Sequence, residues 1–500
     1  MEATPSTARI THARKSKRGE PAKLVQSVNG DESEAPFNPK LIAENLNLWR
    51  LNSKGATYYA PTTAGDFREM SGADARRFLA ANGIRTRRLH GGELLSDAEK
   101  VVEYACNHRL VDFAGPLAGH KSAVYYTAEG NPFVVLGGPH LIAPKKGDWS
   151  LIEKILKPRF EDDLAPLQLD YLLLWLKRGI EPLYENRRRK GLILILVGEN
   201  DSGKSFIQHF FITPCLGGRE ADPTNYFKSE QGFNRDVMSS EHLAIGEFAF
   251  PLDDQSRLML AEKMKKIVAN ESQPYHCKGR DQITMSPHQR LSISINDDPQ
   301  KLKALPQMTD DMRDKVLLLK VRRVEMPLPT NTDIEEAAFV AAVREQLPAF
   351  VHYLLKEYDP PAEIATGRFG MQHFMHPEIA ELLFEQERVA RFAFNLDRAL
   401  ADDFAVKGAW GWGNAEELHS HLTDENQQQH GLFRSLLKNP GSCGQFVGFL
   451  QKRDIDQLAR RRNVKPNTIK RDDSDLRYVW RHTNRGNLWL IKPPREVVSS

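Results

Sequence analysis

The chain has 500 residues, 40% of them hydrophobic and 27% charged, with a formal net charge of +3, which is the composition of a globular protein with about three domains. It contains no run of about 18 apolar residues that would span a bilayer, and its four cysteines lack the close pairing of a zinc ribbon or a disulfide framework. We therefore expect a cytoplasmic protein that has no secretory signal and no membrane contact.

The first part of the chain predicts a basic arm and a small domain. Residues 1–25 carry six basic and two acidic side chains but few large apolar ones. We interpret residues 1–36 as a disordered arm, which either solubilises the protein or contacts nucleic acid. Residues 37–160 alternate strand-like runs with helices whose predicted caps are Ser71 and Ser96, and this pattern predicts an α+β accessory domain.

The next region contains a phosphate-binding motif. Six consecutive apolar residues, Leu192 to Val197, predict a strand that is buried on both faces. The following eight residues match the pattern G-x-x-x-x-G-K-[ST], and a helix-like run comes after them. Such a loop holds ATP with backbone N–H groups, a lysine for the β- and γ-phosphates and a hydroxyl for Mg²⁺. The predicted nucleotide-binding residues are Gly198, Glu199, Asn200, Asp201, Ser202, Gly203, Lys204, Ser205 and Phe206.

Two later strand ends predict the polar residues of a hydrolytic site. Glu247 follows a short apolar run, and we expect it to hold Mg²⁺ together with Ser205 and to polarise the attacking water. The alternative for Glu247 is a surface glutamate at a strand end. Asn296 ends the alternating strand 290–296 and is placed to orient the same water.

Two basic features predict contacts beyond the nucleotide pocket of one chain. Arg313 precedes the apolar run 316–319 and is placed to neutralise transition-state charge in a neighbouring subunit, with Arg322 and Arg323 as alternatives. Lys278 and Arg280 lie at a glycine-containing turn between two strand-like runs. The hairpin tip either binds DNA phosphates or is an ordinary solvated turn.

The order of phosphate loop, strand-end glutamate, basic hairpin, strand-end asparagine and pre-strand arginine covers about residues 165–325. This order resembles superfamily 3 helicases, in particular the primase-helicase ATPases of phages, plasmids and mobile elements. The resemblance implies an AAA+-like hexameric ring that moves along single-stranded DNA. It assigns phosphate and Mg²⁺ contacts to Lys204 and Ser205, and the catalytic carboxylate to Glu247. The sensor, the DNA hairpin and the arginine finger then correspond to Asn296, Lys278 with Arg280, and Arg313.

The sequence departs from the family pattern in two ways. The second motif has the single acid Glu247 where the family often has two. The residues before about 163 lack a pair of strand-borne catalytic aspartates, so we do not expect the chain to prime DNA synthesis. Whether a separate primase or polymerase works with it stays open.

The C-terminal region predicts a winged helix. The segment 410–413, with two Trp and two Gly residues, is loop-like. Residues 456–471 have helix-turn-helix spacing with the turn at Asn463 and Val464, and residues 478–491 form two strand-like runs around a turn. Residues 451–471 carry eight basic and two acidic side chains. The domain therefore binds duplex DNA or, alternatively, another protein. The predicted DNA-contacting residues here are Arg460, Arg461, Lys465, Asn467, Thr468, Lys470, Arg471 and Arg485.

These patterns and the resemblance together predict an α/β protein with five segments. They are the arm 1–36, the accessory domain 37–160, an AAA+-like P-loop ATPase core 161–330, a helical connector 331–400 and a winged-helix domain 401–500. The expected function is that of an ATP-dependent DNA helicase or replication initiator of a mobile element. The main alternative is a DNA-binding NTPase switch that separates no strands. A P-loop metabolic kinase explains the C-terminal features and the placement of Arg313 less well.

Overall fold

The computed structural model describes residues 37–493 except positions 54, 89–93, 128, 229–233, 247–253, 270–271, 277–282, 307, 428, 471–472 and 485. The chain forms two compact units, Met1–His376 and Pro377–Ser500. This boundary falls inside the segment 331–400 that the sequence predicts to be a helical connector. In the described part of the chain, no helix is both long enough and apolar enough to cross a membrane.

The first unit begins with a small α+β region. Its elements are α1 (Pro39–Asn45), β1 (Trp49–Leu51), β2 (Thr57–Pro61), β3 (Phe67–Ser71), α2 (Gly72–Ala81), α3 (Asp97–His108), β4 (Leu110–Val111), β5 (Ala114–Gly115), β6 (Ala123–Tyr126) and β7 (Pro132–Val135). The strands form two sheets, ordered β3-β2-β1-β4 and β5-β7-β6. The predicted caps of α2 and α3 are confirmed, because Ser71 accepts from the Asp74 N–H and Ser96 forms a capping box with Glu99.

The rest of the first unit is built around a parallel sheet. Its elements are α4 (Ser150–Phe160), α5 (Gln168–Tyr184), β8 (Ile193–Gly198), α6 (Lys204–Phe206), α7 (Thr213–Cys215), β9 (Glu220–Ala221), α8 (Thr224–Lys228), α9 (Arg235–Ser239), β10 (His242–Ile245), α10 (Asp254–Ala269), β11 (Gln273–Tyr275), β12 (Ile283–Met285), β13 (Arg290–Asn296), α11 (Pro299–Leu302), α12 (Asp310–Arg313), β14 (Val316–Lys320), α13 (Asp333–His352) and β15 (Phe374–Met375). Two π-helical turns, Ile207–Ile212 and Tyr353–Glu357, continue α6 and α13.

Six parallel strands of the described chain form this sheet in the order β15-β14-β8-β13-β10-β9. Strand β8 lies in the middle, and every residue of it is buried, as the apolar run predicts. Leu194 and Leu196 pack into a large core with α5, while Ile193 and Ile195 are buried on the opposite face. Because all six strands are parallel, their carboxyl ends meet at one edge of the sheet, where ligands of such folds bind.

The second unit has its own core and its own sheet. Its elements are α14 (Pro377–Ala399), α15 (Ala401–Lys407), β16 (Trp410–Gly413), α16 (Ala415–Thr423), α17 (His430–Leu436), α18 (Pro440–Arg462), β17 (Tyr478–Thr483) and β18 (Gly486–Ile491), with a 3₁₀ turn at Pro466–Thr468. The strands form an antiparallel sheet in the order β16-β18-β17. The predicted hairpin over residues 478–491 is therefore confirmed.

Two local expectations for the second unit are wrong. The loop expected at Trp410–Gly413 is strand β16, because Trp410 packs in the core and pairs with Ile491 of β18. Among the described residues after Asn463, only the 3₁₀ turn Pro466–Thr468 stands where the second helix was expected. The only large apolar side chains of residues 463–475 are Val464 and Ile469, which are too few to form the apolar face of a helix. The Arg462 guanidinium donates to Asp473 and Asp475 and so holds the segment before β17 against the end of α18.

Candidate nucleotide-binding site

The carboxyl ends of β8 and β13 meet at the predicted phosphate loop. Asn296 of β13 pairs with Gly198 of β8. The N–H of Asp297 donates to the Gly198 carbonyl over 3.2 Å. The sheet therefore places the predicted sensor asparagine beside the first residue of the loop.

The loop backbone is shaped to expose its N–H groups. Asp201 and Gly203 adopt positive φ values of 60° and 90°. Within the described structure, the backbone N–H groups of residues 200–203 have no protein acceptor. Successive free N–H groups at the start of the helical segment 204–215 form a concave site that favours an anion.

Two glycines of the loop leave little space for a side chain. A Cβ on Gly198 would lie 2.1 Å from the carbonyl oxygen of Val321, which follows β14. A Cβ on Gly203 would lie 3.1 Å from Nε of Arg159, and the positive φ of Gly203 adds strain for any L side chain. Packing thus requires glycine at position 198, and the positive φ favours glycine at position 203.

Lys204 lies folded against the loop. Its ammonium group donates to the carbonyls of Gly198 (2.9 Å) and Glu199 (2.7 Å) and to the hydroxyl of Ser202 (3.2 Å). Burial lowers the pKa of Lys204, and the carboxylates of Asp297 and Asp201 oppose this change. The ammonium makes no ion pair with these acids, so a bound phosphate has only neutral hydrogen bonds to displace.

Arg159 of α4 supports the loop from inside the protein. Its guanidinium donates to the carbonyls of Ser202 (3.2 Å), Ile155 (2.8 Å) and Val324 (2.9 Å). The side chain is buried, and burial lowers its pKa. Arg159 thus fixes the loop to the segment after β14, a role that the sequence did not predict because the residue lies about forty positions before the motif.

A buried polar network links the helix after the loop to β10. Nε2 of Gln208 donates to the Ser292 hydroxyl (2.7 Å) and to the Ile245 carbonyl (3.4 Å). The same hydroxyl lies 2.7 Å from Nε2 of His242, whose Nδ1 is 2.6 Å from the Thr213 hydroxyl. The network ends two residues before Glu247, which lies outside the described residues, so the role of Glu247 stays a prediction.

The open side of the loop is a cleft of about 400 Å³. It is lined by Glu199, Asn200, Asn296, Asp297, Asp298, Lys301 and Arg323. Three of these residues, Asp297, Asp298 and Lys301, were not predicted, although they directly follow the strand that ends at Asn296. Ser205 is exposed at the start of the helix. A hydroxyl and nearby oxygen-bearing side chains match the donors that Mg²⁺ prefers.

Arg313 lies at the opposite edge of the sheet. It ends α12, is exposed, and precedes β14 at the amino end of the parallel strands. The turn that carries it is attached to α10, because Lys265 donates to Asp311 over 2.6 Å. The structure therefore does not bring Arg313 to the phosphate loop of its own chain.

The predicted DNA contacts are only partly within the described structure. Strands β11 and β12 pair as an antiparallel hairpin, while Lys278 and Arg280 at its tip lie outside the described residues. Arg471 and Arg485 also lie outside them, as does the side chain of Arg460. In the second unit, the exposed predicted residues are Arg461, Lys465, Asn467, Thr468 and Lys470. The described residues hold no group of three or more His, Cys, Asp or Glu side chains that is arranged to bind a metal ion.

Comparison with known proteins gives one family model and remote structural neighbours. The model, described as a family of unknown function (DUF5906), matches residues 196–313, which run from within β8 to Arg313. An apo structure of the C-terminal region of phage NrS-1 is 12% identical with a TM-score of 0.49, and the match covers 93% of this chain and 100% of that one. A JC virus helicase, solved with a bound thiazolopyridine compound, is 11% identical with a TM-score of 0.24, and the match covers 45% of this chain and 57% of that one. No curated protein matches the chain.

Proposed function

We propose that the chain is an ATP-driven DNA helicase or replication initiator of a mobile element, which hydrolyses ATP at the subunit interfaces of a ring. One observation carries the proposal. A loop with unpaired N–H groups, a lysine at its end and a strand-end asparagine beside it lies at the carboxyl edge of a parallel sheet. Such groups bind a nucleoside triphosphate and orient a water molecule.

The order of the strands supports an additional-strand P-loop ATPase. Strand β13, which carries Asn296, lies between the loop strand β8 and strand β10, which leads to Glu247. In this arrangement the residues after β10 and β13 share one edge with the loop. The nucleotide pocket therefore has an asparagine from this chain and, in our proposal, a catalytic carboxylate from Glu247.

The separation of Arg313 from the loop supports a site that is completed by a second chain. Strand β14 has five residues between the amino-edge turn and the carboxyl edge, or about 17 Å at about 3.3 Å per residue. Arg313 is too far from its own loop to neutralise charge there. A ring in which each chain lends this arginine to its neighbour places it where transition-state charge develops.

In the proposed reaction, the residues of this chain bind and orient. The N–H groups of residues 200–203 and the Lys204 ammonium hold the phosphates, and the Ser205 hydroxyl and Glu247 would hold Mg²⁺. When bound, Mg²⁺ neutralises charge on the β- and γ-phosphates. Asn296 orients the attacking water. The exposed cations of the second unit attract duplex DNA, and the β11–β12 hairpin carries single-stranded DNA.

The test compares ATP hydrolysis with strand separation. Lys204→Ala should abolish DNA-stimulated ATPase activity and displacement of a forked duplex, whereas Lys146→Ala, at an exposed lysine outside the cleft, should retain both. Hydrolysis by the wild-type chain without displacement would instead favour a DNA-binding NTPase switch. Phosphoryl transfer to a small molecule rather than to water would favour a kinase, and ATPase activity that survives Lys204→Ala would remove the basis of the mechanism.

A further inference from the structure

Strand β14 lies between Arg313 and the two other candidates for the arginine finger, Arg322 and Arg323. It runs parallel to β8, with Val316 opposite Ile193 and Lys320 opposite Val197. Arg313 precedes the strand at the amino edge. Arg322 and Arg323 follow it, so they lie at the carboxyl edge next to the phosphate loop of the same chain.

The two arginines at the carboxyl edge have different surroundings. The Arg322 N–H donates to the Arg159 carbonyl (3.0 Å), and its guanidinium donates to the Glu161 carbonyl (2.8 Å). Arg322 therefore links the segment after β14 to the end of α4. Arg323 instead lines the cleft together with Asn200 and Asn296.

The backbone around Arg323 is held firmly while its side chain is left available. The N–H of Val321 donates to the Val197 carbonyl (2.6 Å), and the Val324 carbonyl accepts from Arg159. Among the described residues, the exposed guanidinium of Arg323 makes no hydrogen bond or ion pair, although Asp297 and Asp298 line the same cleft. A fixed position with an unused cation is suited to an anionic ligand.

We propose that Arg323 contacts the terminal phosphate of the nucleotide bound by its own chain and so selects triphosphate over diphosphate. This inference rests on the proposed ATP site and goes beyond it, because it assigns a second arginine with a separate role. Arg323 acts within one chain, while Arg313 acts on the neighbour. Arg323 follows β14 and the loop follows the adjacent strand β8, so in this proposal both contact the phosphates of one nucleotide.

The first test measures nucleotide affinity with the full chain, using fluorescent ADP and a fluorescent non-hydrolysable ATP analogue. Arg323→Ala should weaken binding of the triphosphate by about tenfold or more, the effect of losing one charge-assisted contact, and binding of ADP by less than about twofold. The matched control Arg322→Ala should change the ratio of the two affinities by less than about twofold. Equal losses for both nucleotides, or no loss, would overturn the proposal. Circular dichroism of Arg323→Ala and recovery by Arg323→Lys separate loss of the contact from misfolding.

The second test mixes inactive subunits and separates this inference from the ring. A chain with Arg313→Ala mixed with a chain with Lys204→Ala should regain ATPase activity, because one interface then combines an intact loop with an intact Arg313. At an ATP concentration too low to saturate Arg323→Ala, a chain with Arg323→Ala mixed with the Lys204→Ala chain should gain no ATPase activity, because both changes damage the site of the chain that carries them. Recovery in the Arg323 mixture would show action between chains and overturn the proposal. Failure of the Arg313 mixture alone, with the triphosphate selectivity intact, would count against the ring and leave the role of Arg323 standing.

Discussion

At Gly198 the close approach of two strands decides which residue is tolerated. The nearest atom to an added Cβ is the carbonyl oxygen of Val321 at 2.1 Å, and that oxygen belongs to the backbone. Backbone atoms cannot move aside as the end of a flexible side chain can. Here a glycine that the motif requires for phosphate binding is also required for the contact between the loop and the end of β14.

We therefore expect Gly198→Ala to destabilise the first unit by about 1–3 kcal/mol or more. The control is Gly72→Ala in α2 of the same unit, where the added Cβ meets its nearest neighbours at 3.8 Å and 3.9 Å and fits without displacement. Urea unfolding of both variants, followed by hydrogen exchange at the β8 amides, measures the difference. Equal stability of the two variants would show that the loop relaxes freely.

His242 predicts a pH dependence of stability. The imidazole is fully buried, and burial lowers its pKa to about 3. An unfolded histidine has a pKa of about 6.5. As the pH falls from about 6.5 towards 3, the unfolded state takes up a proton that the native state refuses, so stability decreases with acidification by up to about 1.4 kcal/mol per pH unit.

We expect His242→Asn to reduce this pH slope without abolishing it. The buried His288 also has a pKa well below its usual value, so its contribution remains in the variant. The groups around His242 are the hydroxyls of Thr213 and Ser292 and, beyond Thr213, the pair Glu220 and His209. Urea midpoints between pH 7.5 and 5.0 give the slope, with the exposed His482→Asn as control. An unchanged slope in His242→Asn would contradict the expected loss.

At the scale of elements, apolar runs in the sequence were sufficient to predict the central strands. The apolar runs at 192–197 and 316–319 correspond to β8 and β14, because a strand buried on both faces is mostly apolar, and the alternating segment 290–296 corresponds to β13. Their order in the sheet could not be read from the sequence. The strand order depends on how the connecting segments pack against the sheet. This order places Asn296 beside Gly198 and Arg313 at the opposite edge.

The elements that the sequence did not predict are those defined by distant partners. Strand β16 is short and contains two glycines, which weaken a strand in isolation, and it exists through its pairing with β18. The helix α18 runs from Pro440 to Arg462, whereas the helix-turn-helix spacing predicted a helix only in its last turns, from residue 456. Cleft residues such as Arg323 carry no motif of their own. Their position beside the loop follows from the parallel pairing of β14.

The basic end of α18 and the turn after it predict salt-dependent DNA binding. Lys465 is exposed next to the 3₁₀ turn, and among the described residues its ammonium makes no ion pair. Each lysine that contacts a phosphate releases about one counterion. We expect Lys465→Ala to reduce the slope of log affinity against log salt concentration by about 1, as measured by fluorescence anisotropy on a short duplex.

The matched control for Lys465 is Lys407. This lysine is exposed in the same unit but lies 3.1 Å from Asp403, which already neutralises it. Lys407→Ala should leave the salt slope unchanged. If both variants behave alike, the basic segment is a solvated surface rather than a DNA contact, and the alternative of protein binding by this unit gains support.

At the scale of the molecule, the sheet separates the two halves of the proposed chemistry. Its carboxyl edge holds the loop and the cleft, and its amino edge holds Arg313. In the proposed function, a single chain binds ATP but does not bring Arg313 to its own site, where this arginine would speed hydrolysis. We expect the ATPase rate per chain to rise with protein concentration, and Arg313→Ala to lower the rate by about 10³-fold or more.

The control for that prediction is nucleotide affinity, which Arg313→Ala should leave unchanged at concentrations where the chain is monomeric. Sedimentation velocity at each concentration relates the rate to the assembled fraction. A rate per chain that stays constant from monomer to assembly would show that the site is complete within one chain.

The division into two units predicts that each half folds without the other. The core around β8 is formed by residues before 377, and the core around α18 and β18 by residues after it. We expect the fragment 1–376 to bind ATP with an affinity within about threefold of the full chain, and the fragment 377–500 to unfold cooperatively and to bind duplex DNA. Calorimetry and anisotropy on the separate fragments measure this. We expect strand separation to require both units in one chain, because in the proposed function the hairpin of the first unit pulls single-stranded DNA while the second unit holds the duplex. Displacement of a forked duplex by a mixture of the fragments would contradict that coupling.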